Sequence, residues 1–328
     1  MLRYEEILYL SHNSAILRHG TVIYKLYPTC RNIDKEYNNA LMIRDLPFRK
    51  SRLLSKAKFK SNEAICYEYI EGDEKDVDIE VSVDKLIFKE INGEEIDVNL
   101  YDKYALYASS LHKDIFKNNL PKASCYKEDL RMRILCNRQL SKESMVQAIK
   151  VLDKLPTGNT LLHGDYTISN IILKEDKPYA IDFGSTCRGP KTYDIAKFVY
   201  KTYFHNPLNE ANSFIKFSRE FEKKVIEPIW AQIVDVKKKQ RKLLVEAYLK
   251  QMDSSWEEIE DYLFLLEITD ADNQNAHTME EFRKHLHKYY PVIDQSYFNN
   301  LENINGTSRL SSDYHLQASN PDTCLGSD

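Results

Sequence analysis

The sequence predicts an α+β chain with two lobes, a small β-rich lobe over residues 1–71 and a mostly helical lobe over 72–304. Three observations predict it. The N-terminal part alternates β-branched and aromatic residues with polar ones in strand-length runs. Beyond Asp194 the apolar residues recur at three-and-four spacing, the period of helices packed on one face. Between the two, short apolar runs of strand length flank a polar loop near residues 163–170. The final segment, 305–328, is rich in Ser, Asn, Asp and Gly and is expected to be a disordered tail.

Residues 5–10 and 15–18 read as the first two strands, bracketing a loop, Ser11-His12-Asn13-Ser14, that contains no glycine. Residues 21–27 alternate and carry Lys25 on a strand. A helix follows over 32–43, with Ile33, Tyr37, Ala40 and Leu41 on one face and Glu36 near its start. Residues 51–59 and 64–72 read as two more strands, the second ending in a hinge at Glu68, Ile70 and Gly72. Residues 83–91 fit a helix capped by Ser82 and stopped at Asn92-Gly93, with a hairpin around Asn92-Gly93 as the competing reading. Residues 99–112 form a firmer helical pattern. Helices are predicted over 214–234, 238–251 and 256–268, interrupted at Pro228, and the chain reads as helical to about Tyr290.

The chemistry concentrates in His163-Gly164-Asp165-Tyr166-Thr167-Ile168-Ser169-Asn170 and, twelve residues on, Asp182-Phe183-Gly184. Apolar runs at 160–162 and 171–173 anchor the first motif, and residues 178–181 form a third short strand that delivers Asp182. Phosphoryl transfer from a nucleoside triphosphate needs a base beside the attacking hydroxyl and hard oxygens to hold Mg²⁺ against the phosphates. Asp165 is placed for the first role, and Asn170 with Asp182 for the second.

These motifs resemble those of the aminoglycoside phosphotransferase and choline kinase superfamily, in the pair H-G-D-x-x-x-x-N and I-D-F-G. Gly189-Pro190-Lys191-Thr192-Tyr193-Asp194-Ile195-Ala196 is similar to the family's G-x-P-x-x-D-L-A segment, with the proline one place early. The resemblance implies a bilobal protein-kinase-like fold, ATP and Mg²⁺ as cofactors, and a small-molecule hydroxyl as acceptor. It implies that Asp194 braces the catalytic loop through backbone hydrogen bonds. Residues 21–27 resemble the V-A-I-K strand, so Lys25 is expected on the α- and β-phosphates and Glu36 is expected to hold it. Taken singly, each would read as an ordinary solvated side chain. Residues 64–72 resemble a family hinge, where the main-chain atoms of Glu68 and Ile70 are expected to meet the adenine.

The acceptor is read as a small molecule because Thr167 stands where protein kinases usually have a lysine, and few residues separate Gly184 from Asp194. The stretch 253–281 carries ten acids and no Lys or Arg. It is read first as an ordinary solvated helix face and second as an acidic wall that would attract a cationic acceptor, such as an aminoglycoside or amino-alcohol. A non-catalytic relative that binds nucleotide or a partner is the alternative function.

The formal net charge of −4 gives no support to a nucleic-acid surface. No apolar run approaches the ~20 residues a membrane helix needs, and the N-terminus does not read as a signal peptide. Cysteines at 30, 66, 125, 136, 187 and 324 show no C-x-x-C spacing and are expected as reduced thiols of a cytoplasmic protein.

Overall fold

The computed structural model describes residues 6–10, 14–27, 33–59, 62–72, 78–204, 220–270 and 279–283. Ser11, His12 and Asn13 of the glycine-free loop, Asp272 and the predicted tail lie outside them.

Strands β1 (Glu6–Leu10), β2 (Ala15–His19), β3 (Val22–Tyr27), β4 (Leu53–Phe59) and β5 (Asn62–Glu68) form one antiparallel sheet in the order β1-β2-β3-β5-β4. Side chains alternate between its faces. Tyr27, Leu53 and Ile65 pack with Ala40 of helix α1 (Asp34–Ile43) and with Ile33 just before it, while Leu17, Leu26 and Ala64 make a second cluster. Lys25 is two residues from Tyr27 and so shares the face that α1 covers. That periodicity aims it at α1 and Glu36. The buried face of α1 runs through Ile33, Ala40 and Ile43, whereas Leu41 is 37% exposed, so the expected face is corrected at its last member. A 3.6-residue period continues from 40 to 43 rather than to 41.

The rest is mostly helical. Helices α2 (Ile79–Ile91) and α3 (Asn99–Phe116) are followed by α4 (Tyr126–Cys136) and α5 (Lys142–Lys154). Helix α2 begins a turn earlier than expected, because Asp78 rather than Ser82 caps it, accepting from the Val81 amide at 2.9 Å. The chain leaves α2 at Asn92, with Gly93 at φ 75°, so the helix reading prevails over the hairpin.

Two short antiparallel pairs carry the polar loop: β6 (Thr160–Leu162) with β9 (Cys187–Gly189), and β7 (Ile171–Lys174) with β8 (Lys177–Ala180). Helix α6 (Lys191–Val199) runs into a π-helical turn at Tyr200–Phe204. Helices α7 (Glu220–Met252) and α8 (Trp256–Thr269) follow, and residues 279–283 are helical with Met279 and Phe282 buried.

Helix α7 is continuous, so the predicted breaks at Pro228 and near residue 235 do not occur. A proline removes one backbone hydrogen bond, a local cost that tertiary packing of the remaining turns can exceed. Leu244, Val245, Tyr248 and Leu249 of α7 are buried, and the Tyr248 ring stacks on Phe198 at 3.9 Å. Each such large side chain stabilises the fold by roughly 1.5–3 kcal/mol. Arg241, fully buried, binds Glu80 Oε1 at 2.7 Å and the Thr202 carbonyl at 3.3 Å, tying α7 to α2 and to the π-helical turn.

Within the acidic stretch, Glu260 and Glu267 are buried, so the reading of a wholly solvated face does not hold for them. Glu258 closes a capping box with Ser255 at the start of α8. No helix among the described residues is long and apolar enough to cross a membrane.

Candidate active site

The β7–β8 hairpin brings the two halves of the motif together. Ile171 lies opposite Ala180, and the Ile181 amide donates to the Asn170 carbonyl at 3.0 Å. Asn170 and Asp182 thus stand at neighbouring ends of paired strands. Asp182 has φ 60°, a left-handed conformation uncommon for a residue with a side chain.

The loop is braced from α6. Asp194 is fully buried and accepts the His163 amide at 2.7 Å and the Gly164 amide at 3.0 Å. The bracing implied by the resemblance is present. His112 of α3 adds Nε2 at 3.1 Å to the same carboxylate, while its Nδ1 lies 2.5 Å from the Tyr248 hydroxyl of α7. A neutral imidazole satisfies both, donating from Nε2 and accepting at Nδ1. Burial pushes the His112 pKa down, against the pull of Asp194. Burial alone would raise the Asp194 pKa, but His112 and the His163 amide outweigh it and hold the carboxyl below its usual range.

Gly164 has φ 79°, and a Cβ there would lie 1.9 Å from the Ser185 carbonyl oxygen. Only glycine lets the 163–170 loop and the segment after Asp182 approach so closely.

Lys25 joins the sheet to this centre. Its Nζ lies 2.9 Å from Glu36 Oε1 and 2.9 Å from Asp182 Oδ1, so three of the residues singled out from the sequence meet at one ammonium. Burial works to lower the Lys25 pKa, but Asp182 and Glu36 together hold it above its ordinary value. Burial likewise acts to raise the Asp182 pKa, and the Lys25 charge overcomes it, leaving the carboxyl below its usual range. Glu36 is fixed on its other oxygen by the Tyr27 hydroxyl. Asn39 donates to the Gly184 carbonyl at 2.9 Å, so α1 grips the Asp182-Phe183-Gly184 turn directly.

The oxygens left over suit a hard divalent cation. Asn170 spends its Nδ2 on the Asp165 carbonyl at 2.9 Å, leaving Oδ1 uncommitted. Both contacts of the Asp182 carboxylate, from Lys25 and from the Gly184 amide, fall on Oδ1, leaving Oδ2. Among the described residues no group of three His, Cys, Asp or Glu converges as a closed metal cage. One carboxylate and one amide oxygen, completed by phosphates and water, match the habit of magnesium.

The hinge residues differ from each other. The Glu68 amide donates to the Arg52 carbonyl at 2.9 Å, and its carbonyl accepts from Ser51 Oγ at 2.7 Å, so its main chain is committed within the sheet. Ile70, buried just beyond β5, makes no main-chain hydrogen bond among the described residues.

Asp165 has its side chain 39% exposed, and Lys197 of α6 places Nζ 3.7 Å from its Oδ1. Burial lowers the pKa of Lys201, one turn further on, with Asp165 and Asp270 acting in the opposite direction. The sequence reading missed Lys197. Its signal was a single charge inside the apolar run Ile195-Ala196-Lys197-Phe198-Val199.

Comparison with known proteins supports the motif reading. Residues 112–220 match the phosphotransferase enzyme family, APH. The matched segment contains Asp165, Asn170, Asp182 and Asp194, and starts after Lys25 and Glu36. In three dimensions the chain is similar to an amicoumacin kinase in complex with AMP-PNP, Ca²⁺ and Ami, with TM-score 0.51 and 12% identity over 89% of this chain and 90% of that one. It is also similar to the apo form of a thermostable mutant of aminoglycoside phosphotransferase APH(4)-Ia, with TM-score 0.50 and 11% identity over 92% of this chain and 95% of that one. The likeness establishes the shared kinase-like fold. No curated protein matches the chain.

Proposed function

We propose that this phosphotransferase-like protein moves the γ-phosphoryl group of ATP to a hydroxyl of a small molecule. The observation that carries the reading is the Lys25 ammonium held at 2.9 Å by both Glu36 and Asp182. Residues far apart in sequence converge there into an arrangement that suits a triphosphate, with Lys25 on the phosphates and Glu36 fixing its position.

Asp165 orients the acceptor hydroxyl and receives its proton as the bond to phosphorus forms. Asn170 and Asp182 would hold magnesium through Oδ1 and Oδ2, and the ion when bound neutralises charge on the phosphates. In this proposal the adenine meets the hinge at Ile70, whose main chain makes no hydrogen bond among the described residues, with Glu68 as a neighbouring support. On this reading residues 1–71 bind the nucleotide, and 72–304 carry the catalytic loop and the acceptor site. Asp270 accepts from the Tyr200 hydroxyl at 3.1 Å and, like Asp165, acts on the charge of Lys201. It is the candidate contact for a cationic acceptor such as an amino-alcohol or aminoglycoside. Cys66, Cys125, Cys136 and Cys187 are free thiols, which supports a cytoplasmic setting.

The test is calorimetric titration of Mg²⁺ and AMP-PNP into wild type, Lys25→Met and Asp182→Asn. The reading expects binding to wild type and a loss of about tenfold or more in each variant. Equal affinity in all three proteins would remove Lys25 and Asp182 from the site.

A further inference from the structure

The loop His163-Gly164-Asp165-Tyr166-Thr167-Ile168-Ser169-Asn170 contains no lysine or arginine, yet a cation stands beside Asp165. Lys197 reaches it from α6, a different element, with Nζ 3.7 Å from Asp165 Oδ1. The two partners differ in burial. The Lys197 side chain is 7% exposed and the Asp165 side chain 39%. Around Lys197 on its helix, Ile195, Ala196, Phe198 and Val199 are all buried.

Burying an ammonium is unfavourable, and an apolar residue of similar volume at such a position is commonly neutral or stabilising. Asp165 reaches solvent and needs no buried lysine to stay solvated. The pair therefore has no evident use as a stability device. Its location points to the chemistry instead. A carboxylate next to the acceptor hydroxyl repels the anionic phosphoryl group that must approach the same hydroxyl, and a fixed positive charge within salt-bridge distance offsets that repulsion.

We propose that Lys197 is a positioning residue for phosphoryl transfer, holding the Asp165 carboxylate toward the acceptor and compensating its charge as the phosphoryl group arrives. The proposal rests on the reading of Asp165 given above. In the step, the acceptor oxygen forms a bond to the γ-phosphorus and the bond from that phosphorus to the bridging oxygen breaks. ADP leaves with that electron pair, the hydroxyl proton passes to Asp165, and Lys197 keeps its proton throughout. Lys201, on the following turn, makes no ion pair among the described residues, so Lys197 is the cation that Asp165 meets within salt-bridge distance there.

The experiment uses Lys197→Met and Lys197→Arg in the full chain. Affinity for Mg·ADP is measured with and without aluminium fluoride, which adds a mimic of the phosphoryl group in flight and requires no knowledge of the acceptor. Thermal unfolding is recorded alongside. Wild type is expected to bind tighter with fluoride. Lys197→Met should lose about tenfold or more of that gain, keep its Mg·ADP affinity within about twofold, and melt no lower than wild type. Lys197→Arg should recover part of the gain. With a turned-over acceptor, the Met variant should lose kcat at unchanged KM for ATP. An undiminished fluoride gain in Lys197→Met overturns the proposal, as does a parallel fall in melting temperature and Mg·ADP affinity, the mark of a structural role. A wild type that binds Mg·ADP but gains nothing with fluoride also overturns it. A wild type that fails to bind Mg·ADP sinks the phosphotransfer reading itself, and this inference with it.

Discussion

Replacing Asp194 by asparagine probes the brace on which the 163–170 loop rests. The carboxylate takes three donors at once: the His163 amide at 2.7 Å, the Gly164 amide at 3.0 Å and His112 Nε2 at 3.1 Å. An amide in its place keeps one acceptor oxygen and turns an NH₂ group toward the remaining donors. A buried donor left unsatisfied costs about 1–3 kcal/mol, and a hydrogen bond to a charged group contributes about 1.5–3 kcal/mol. Asp194→Asn is therefore expected to lose about 3–5 kcal/mol, a large share of the roughly 5–15 kcal/mol that a typical fold possesses. The melting temperature should fall on the order of 10 °C. The sign with pH follows from the depressed folded-state pKa. The stabilisation is complete above the unfolded value of about 3.9 and is lost as pH falls through the folded value, so the deficit is complete at pH 7.5. Urea unfolding of wild type and variant at pH 7.5 measures it. A variant within about 1 kcal/mol of wild type would refute the claim that Asp194 carries the loop, since even one orphaned buried amide costs at least that.

Gly164→Ala puts a Cβ 1.9 Å from the Ser185 carbonyl at φ 79°, so the variant should either fail to fold or lose turnover by displacing Asp165, which expression followed by an activity assay would check. Lys25→Met should raise the KM for ATP by about tenfold or more and also lower the melting temperature, because the Glu36 and Asp182 carboxylates are left without their shared cation. Burial raises the Asp78 pKa to about 6, so ionising it costs stability as pH rises from the unfolded value of about 3.9 to about 6. Asp78→Asn retains a capping side chain and should stabilise the protein more at pH 8 than at pH 5, read by thermal unfolding. His112 acts with the opposite sign: its lowered folded-state pKa makes its contribution complete above the unfolded value of about 6.5 and removes it as pH falls below that. In the Asp78→Asn background, unfolding free energy should decline between about pH 6.5 and 5.5, and His112→Gln should flatten that slope.

The sequence was legible where chemistry is local. Asp165, Asn170 and Asp182 lie close together in the chain, between apolar runs that could only be short strands, and the hairpin pairing of Ile171 with Ala180 brings their ends together. Lys25 and Glu36 were legible because strand alternation fixes the face of one and helical period the position of the other. Contacts between distant segments were not. The His112–Tyr248 bond spans 136 positions, and no pattern at either end announces it. Lys197 was overlooked because a lysine on a helix ordinarily reads as solvated, and only its apolar neighbours mark it as buried. Strand β9 has three residues, too few to show alternation. Pro228 was read as a stop because its local cost is known from sequence while the packing of the later turns of α7 is not. The acids of 253–281 looked alike in sequence, yet Glu260 and Glu267 are buried while Glu258 caps a helix, a difference set by which face of α8 meets the core.

The most direct measurement of the central claim is ATP consumption with Mg²⁺ by wild type and Asp165→Ala across a panel of amino-alcohols, aminoglycosides, sugars and nucleosides. Phosphotransfer centred on Asp165 predicts acceptor-dependent turnover in wild type that falls by a factor of about 10² or more in the variant. Nucleotide binding with no turnover in either protein, or equal turnover in both, would contradict it.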